Sequence, residues 1–141
     1  MASKDRVRRS DCPIAFTLDL IGDRWTLLVI RDLAFLHKRH FREFLASEEK
    51  IASNILASRL KMLEKRGVVV RRPDPQSARQ AIYELTEKGA GLLPVLLELV
   101  RWGAKHDVKT AAPRSFVRRI ERDREGLVRE LTALLLKKSK R

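Results

Sequence analysis

The feature that most constrains this chain is the change of hydrophobic period at Gly67. Before it, in the stretch 51–67, Ala52, Ile55, Leu56, Leu60 and Leu63 recur at helical spacing and gather on one side. At 100° per residue Asn54, Ser58, Lys61 and Lys65 gather on the other side, with Ala57 on the flank. One face packs; the other carries small polar and basic groups, as suits a helix lying against something polar and anionic. Gly67 is a natural stop, because glycine enters the left-handed cap conformation without strain. Ala52 has no side chain to cap the start, and Ser53 is the nearest residue that could. After Gly67 the period becomes 2. Val68 to Arg72 is short and β-branched, Pro73 to Ser77 is a turn cluster, and Ala78 to Leu85 reads as the returning strand. Few architectures place a hairpin directly behind an amphipathic helix with a polar outer face.

Composition fits one domain: 141 residues, 44% hydrophobic, with only five prolines. No apolar run approaches the ~20 residues of a membrane span. The charged start Met-Ala-Ser-Lys-Asp-Arg is not followed by a signal-peptide core, so a cytoplasmic location is expected. Thirty-one Lys and Arg against eighteen Asp and Glu leave +13. That surplus attracts polyanions and supplies sequence-independent affinity for phosphate backbones, without distinguishing DNA from RNA or an acidic membrane. The lone cysteine, Cys12, excludes an intramolecular disulfide framework.

In chain order, residues 1–11 read as a basic, loosely ordered arm. Pro13 suits a first helical position and would make Cys12 the N-cap. Ile14, Leu18 and Ile21 repeat helically until Gly22. Asp23 should cap a second helix from Arg24 to about Leu36, with Trp25, Leu28, Val29 and Leu33 on its apolar face. His37 to His40 reads as a solvated basic turn, Phe41 to Leu45 as a short third helix, and Ser47 to Lys50 as the turn before the central helix. Two short helices and a tight turn leading into a longer, polar-faced helix make a helix-turn-helix. The hairpin then reads as a wing, whose Arg71, Arg72 and Arg79 lie at or near the loop. Arginine there can enter a minor groove, where negative potential is strongest. Thr86 should cap a long helix through Trp102, kinked or rebuilt at Pro94. The expected organisation is an arm at 1–11, a winged domain with its dimer helices at 12–105, a linker at 106–113, one C-terminal helix at 114–137 and a basic tail at 138–141. The fold class is mainly α with a small β-hairpin.

Several of these residues match a known pattern. Cys12-Pro13 followed by Leu20-Ile-Gly-Asp-Arg-Trp25 resembles the opening of the HxlR-type winged helix-turn-helix regulators of bacteria. The likeness continues through Phe41-Arg-Glu-Phe44, Leu56-Ala-Ser-Arg-Leu60, Leu63-Glu-Lys-Arg-Gly67, Tyr83-Glu-Leu-Thr-Glu-Lys-Gly89 and Leu93-Pro-Val-Leu96, ending at Trp102-Gly103. Ile-Gly-Asp-Arg-Trp is its most specific piece; Leu-Thr-Glu-Lys-Gly also resembles MarR-type regulators. The resemblance implies a dimeric transcriptional regulator on a partly palindromic operator, with the first and post-wing helices building the dimer. Ile14, Leu18, Leu96, Val100 and Trp102 are the candidate interface residues. Relatives often carry Ser-Pro-Lys where this chain has Ala52-Ser53-Asn54, and arginine where it has His40, so the operator should differ.

The candidate DNA contacts are Ser53, Asn54, Ala57, Ser58, Arg59, Lys61, Lys65, Arg72 and Arg79. An asparagine amide both donates and accepts, matching adenine N6 and N7, so Asn54 is the expected base reader. Ser53 and Ser58 suit bases or phosphates. Lys61 and Arg59 suit phosphates, although Arg59 borders the apolar arc and equally suits packing with a snorkelled head. Arg79 is the expected wing contact. Cys12, at the positive end of a helix dipole with Arg8 and Arg9 near and Asp11 opposing, is a candidate thiol sensor, acting by adduct or by a disulfide across a dimer; the plain alternative is a packing cysteine. Some relatives sense oxidants or electrophiles through such a residue. Trp25, Trp102, Phe41 and Phe44 could line a ligand pocket, with core packing the simpler reading. His37 and His40 lack a second pair to complete a metal site, and no cofactor is expected. No glycine-rich phosphate loop or nucleophile elbow suggests an enzyme. A non-specific nucleoid protein is the alternative that the charge alone would suit.

Overall fold

The computed structural model describes residues 10–139, so most of the basic arm and the last two residues of the tail, Lys140 and Arg141, lie outside it. Helices α1 (Pro13–Ile21), α2 (Arg24–Ala34), α3 (Phe41–Leu45) and α4 (Ser53–Lys65) come first. The hairpin β1 (Val69–Asp74) and β2 (Ser77–Leu85) follows, then α5 (Glu87–Ala90), α6 (Leu93–His106), α7 (Arg114–Arg122) and α8 (Arg124–Ser139). The mainly helical winged architecture read from the sequence is the one observed.

Cys12 is the N-cap of α1 and Pro13 fills its first turn, where a missing N–H costs nothing. Asp23 caps α2 by accepting the Thr26 amide at 3.2 Å. α2 stops at Ala34, short of Leu36; the chain turns at His37, whose φ of 53° is left-handed. The helix α4 buries Leu56, Leu60 and Leu63 on one arc. Its N-cap is Ala52, with no side-chain hydrogen bond, and Ser53 is the first helical residue rather than the cap. At the other end Gly67 has φ 74°, a conformation that costs a non-glycine residue about 1 kcal/mol.

The hairpin is antiparallel, Val69 opposite Leu85 and Arg72 opposite Ile82, until its register slips between Pro73 and Asp74. Thr86 then closes the helix-wing corner. Its hydroxyl donates to the Gly67 carbonyl at 2.5 Å and accepts the Gly89 amide at 3.1 Å, while Lys88 Nζ donates to the Arg66 carbonyl at 2.8 Å. A Cβ on Gly89 would collide with the Val68 carbonyl. The Leu-Thr-Glu-Lys-Gly stretch is thus the buckle that ties the hairpin to the end of α4.

Two expected helices are broken. The post-wing helix ends at Ala90 and restarts at Leu93, with Pro94 in the new first turn, because proline suits a first turn and disrupts an interior. The C-terminal helix is two, α7 and α8, hinged at Asp123 (φ −147°), which accepts the Gly126 amide at 3.1 Å and so starts α8 afresh. Helix α8 runs through Ser139, past the expected end at 137.

One apolar cluster joins α1, α2, α3, α4, the hairpin and α6 around Ile30, Phe44, Leu56, Leu60 and Leu63. A second joins Leu97 of α6 to Ile120 and Leu127, with Phe35, Val100 and Phe116 against it. Leu131 touches both clusters, so the C-terminal helices form part of the same body. Each fully buried leucine contributes about 1.5–3 kcal/mol. Among the described residues, no helix is long and apolar enough to cross a membrane.

Candidate nucleic-acid interface

Helix α4 presents Ser53, Asn54, Ala57, Ser58, Lys61 and Lys65 to solvent. Asn54, Ala57, Ser58, Lys61 and Lys65 follow i, i+3, i+4, i+7, i+11 and therefore form one stripe. Among the described residues, no hydrogen bond or ion pair holds the side chains of Asn54, Lys61 or Lys65. At the wing, Arg71 and Arg79 are exposed. Arg79 lies in the three-residue bulge of β2, between the pairs Pro73–Ala81 and Asp74–Ser77, which frees it from the ladder.

Two of the expected basic contacts, Arg59 and Arg72, are instead paired within the fold. Arg59 Nε donates to Asp23 Oδ2 at 2.8 Å, tying α4 to the cap of α2. The expected phosphate residue is therefore a strut, with the packing role its place beside the apolar arc allowed. Burial alone would raise the Asp23 pKa; its bonds to the Thr26 hydroxyl and to Arg59 outweigh that and lower it. Arg72, expected near the loop as a groove contact, is half-buried and pairs with Glu84 at 3.7 Å. Arg39 also donates to Glu84, which is 8% exposed and requires such compensation. The Arg39 carbonyl accepts the Tyr83 amide at 2.8 Å, so the segment ahead of α3 fastens onto β2.

The turn 37–40 is not a solvated basic loop. Lys38 Nζ lies 2.6 Å from Ser47 Oγ. His40 Nδ1 lies 2.7 Å from Glu43 Oε1 and Nε2 lies 2.9 Å from Asp74 Oδ2, joining the start of α3 to the wing turn. The bond to Asp74, then that to Glu43, raises the His40 pKa above the ordinary value. Beneath this turn Asp32, 2% exposed, accepts from Arg31 at 2.8 and 3.0 Å and from Ser47 Oγ at 2.6 Å. Arg31 also bonds Glu49 at 2.7 and 2.9 Å and pulls its carboxyl down to about 2. The sequence reading missed this network. Its signal was Asp32 on the arc of Val29 and Leu33, since a carboxylate on a buried arc requires partners.

The candidate dimer residues divide. Ile14, Leu18 and Trp102 are 69%, 56% and 63% exposed. Leu96 is 5% exposed in the main cluster and Val100 packs on the second, so both face the chain's own core. On α6 the outward apolar stripe is Val95, Leu99 and Trp102, spaced i, i+4, i+7. Trp25 and Phe41 pack against the main cluster, Phe44 is inside it, and Trp102 is exposed on α6 beside His106, so among the described residues the four aromatics are not gathered around one cavity. Cys12 is exposed, and Ser10 Oγ accepts its amide at 3.3 Å. Arg8 and Arg9, invoked beside it, lie outside the described residues.

A family model described as HxlR-like helix-turn-helix matches residues 20–110. The chain belongs to this family. It is 40% identical over 96 residues to the HTH-type transcriptional regulator BH0655 of Halalkalibacterium halodurans, covering 68% of this chain and 85% of the relative. Its structure resembles the redox regulator HypR in oxidized form, with TM-score 0.60 and 33% identity over 67% of this chain and 96% of HypR. It also resembles the transcriptional regulator YodB of Bacillus subtilis in reduced form, with TM-score 0.55 and 33% identity over 68% of this chain and 94% of YodB. This HxlR-like protein is a helix-turn-helix transcriptional regulator. Its helices α7 and α8 lie outside the residues that the family model matches.

Proposed function

We propose that this regulator acts in the cytoplasm as a homodimer that reads a pseudo-palindromic operator with α4 of each subunit. The observation that carries the reading is the α4 stripe of Asn54, Ser58, Lys61 and Lys65: exposed, in line, and with three of its four side chains held by no described group. Asn54 contacts a base edge; Ser53, Ala57 and Ser58 line the groove; Lys61 and Lys65 hold phosphates. Arg79, with Arg71, reaches the flanking minor groove from the wing. The apolar groups left exposed on α1 (Ile14, Leu18) and α6 (Val95, Leu99, Trp102) support a subunit interface built from those two helices. A twofold dimer then sets its recognition helices ~34 Å apart, in successive major grooves. Selection of bound duplexes from a random library tests this. An inverted repeat with half-site centres ~10 bp (or a multiple) apart is expected. Recovery of sequence with no motif at near-physiological salt favours a non-specific architectural binder instead.

A second element of the reading concerns Cys12. It is exposed at the start of α1, and HypR is named a redox regulator. We infer that oxidants or electrophiles act at Cys12 and alter the dimer through α1. Operator affinity measured before and after diamide or a quinone tests this. It should change for the wild type and stay constant for Cys12→Ser; constant wild-type affinity refutes sensing of those agents.

A further inference from the structure

The geometry points to a binding site for a neutral aromatic small molecule between the winged core and α7–α8, in contact with the helix-turn-helix through Arg31. A cavity of about 430 Å³ lies there, lined by Phe35 of α2, Val100 of α6, Phe116 of α7 and Leu131 and Leu134 of α8. Its size falls within the range of small-molecule sites. The hollow exists because the segment joining α6 to α7 contributes only Ala111, Ala112 and Pro113 at this point, too small to fill the space over Phe35 and Val100. The surrounding walls are fixed. Ile120 and Leu127 are buried against Leu97, Phe116 stands edge-on to Phe35 with ring centroids 6.0 Å apart, and Arg124 holds Glu98 at 2.7 Å. By contrast, the gap beside Trp25 and Phe44 measures about 10 Å³ and admits no ligand.

The chemistry of the lining selects the ligand. Apart from Arg31 and His37 the lining side chains are apolar. Arg31 offers no uncommitted charge, since its guanidinium already makes four hydrogen bonds to Asp32 and Glu49. An anion would meet an arginine already committed to Asp32 and Glu49, and a cation would meet no carboxylate in the lining, so burying either is penalised. Aromatic walls and an edge-on phenylalanine pair favour a flat ring system. The volume equals roughly one turn of helix with its side chains, too little for a docked segment of another chain.

Arg31 makes the site more than a hollow. The same side chain that lines the cavity holds Glu49, in the turn that leads into α4. A molecule pressing on Arg31 therefore shifts the turn that aims the recognition helix. Binding itself is independent of the operator reading; only its regulatory consequence rests on that reading.

The test titrates 2-naphthol into the full-length protein by calorimetry, with naphthalene-2-sulfonate as the charged analogue, and follows backbone amides by NMR. Saturable binding of one 2-naphthol per chain is expected, with the sulfonate about tenfold or more weaker because its charge is unpaired. Ala112→Trp fills the hollow and should abolish binding while the thermal transition stays cooperative. Should that variant not fold, Leu134→Gln, at a position 47% exposed, should weaken binding about tenfold through lost apolar contact. Amide shifts should reach Ser47 to Lys50. No saturable binding, tighter binding of the sulfonate, or equal binding by the folded Ala112→Trp protein overturns the site. Shifts confined to α6–α8 overturn the coupling. None of these readouts uses DNA, so they fail or succeed separately from the operator reading.

Discussion

The outer face of α4 and the seam between α2, α3 and the wing are both rich in basic residues, yet they spend their charge in opposite ways. On α4, Lys61 and Lys65 stand in water with no described partner. In the seam, Arg31, Lys38, Arg39, His40, Arg59 and Arg72 face Asp32, Glu49, Glu84, Asp74 and Asp23. The gross count of 31 Lys and Arg therefore overstates the number of cations offered to a partner. The seam's cations fix the angle between recognition helix and wing; the free ones bind. Each mutation below separates the two uses.

The largest effect is expected at Arg31. Asp32 is 2% exposed, and removing its bidentate partner leaves a buried carboxylate with only Ser47 and the 3.6 Å contact to Lys38. Arg31→Ala should cost about 3 kcal/mol in urea denaturation, as breaking a buried pair does. A loss within experimental error would mean that Ser47 and Lys38 suffice, and that the seam is no scaffold.

Changes on α4 should leave stability alone and appear only in binding. Asn54→Ala should lose about 1–3 kcal/mol of discrimination at particular base pairs. Lys61→Ala should weaken all sequences alike and reduce the salt slope by about one. Binding data on selected and scrambled duplexes at two salt concentrations distinguish these outcomes. If Lys61→Ala relaxed sequence preference while Asn54→Ala did not, the roles along the stripe would be reversed.

The contrast also explains which parts of the molecule were legible in the sequence. The order helix, glycine, hairpin was plain, because the period change at Gly67 and the turn residues Pro73 to Ser77 act locally. So was the α4 stripe, because its polarity follows from helical spacing alone. The fate of individual arginines was not. Arg59 reads as a phosphate contact or a packing residue and Arg79 as a wing contact, and only the fold decides: one meets Asp23, 36 residues away, and the other sits in a bulge. Pairing across such distances is set by tertiary geometry that no local pattern carries. The same holds for α6. It is apolar on two faces, so spacing could not say that Leu96 and Val100 turn inward while Val95 and Leu99 turn outward. The breaks at Gly91–Leu92 and Asp123 were only half visible, Pro94 marking one and nothing comparable marking the other.

The smallest and most particular effect concerns His40, which ties the seam to the wing turn. It bridges Glu43 and Asp74, and Arg39 is the other charge acting on Asp74. Its pKa is raised in the folded protein, so protonation and folding reinforce one another. The stabilisation is fully present below the ordinary value of about 6.5 and is lost as pH rises through the higher folded value. With the ring 24% exposed, the effect should stay below about 1 kcal/mol. An NMR titration of the His40 ring should therefore show a midpoint above that of a free histidine, with the Asp74 to Gln76 amides moving at the same midpoint. Asp74→Asn should bring that midpoint down, and His40→Gln should abolish the pH response of the wing amides. An arginine at this position would hold Asp74 at every physiological pH; histidine makes the wing's attachment to α3 conditional. If the wing amides failed to follow the His40 ring, the bridge would be no determinant of wing position. The seam would then owe its geometry to Arg39, Arg72 and Glu84 alone.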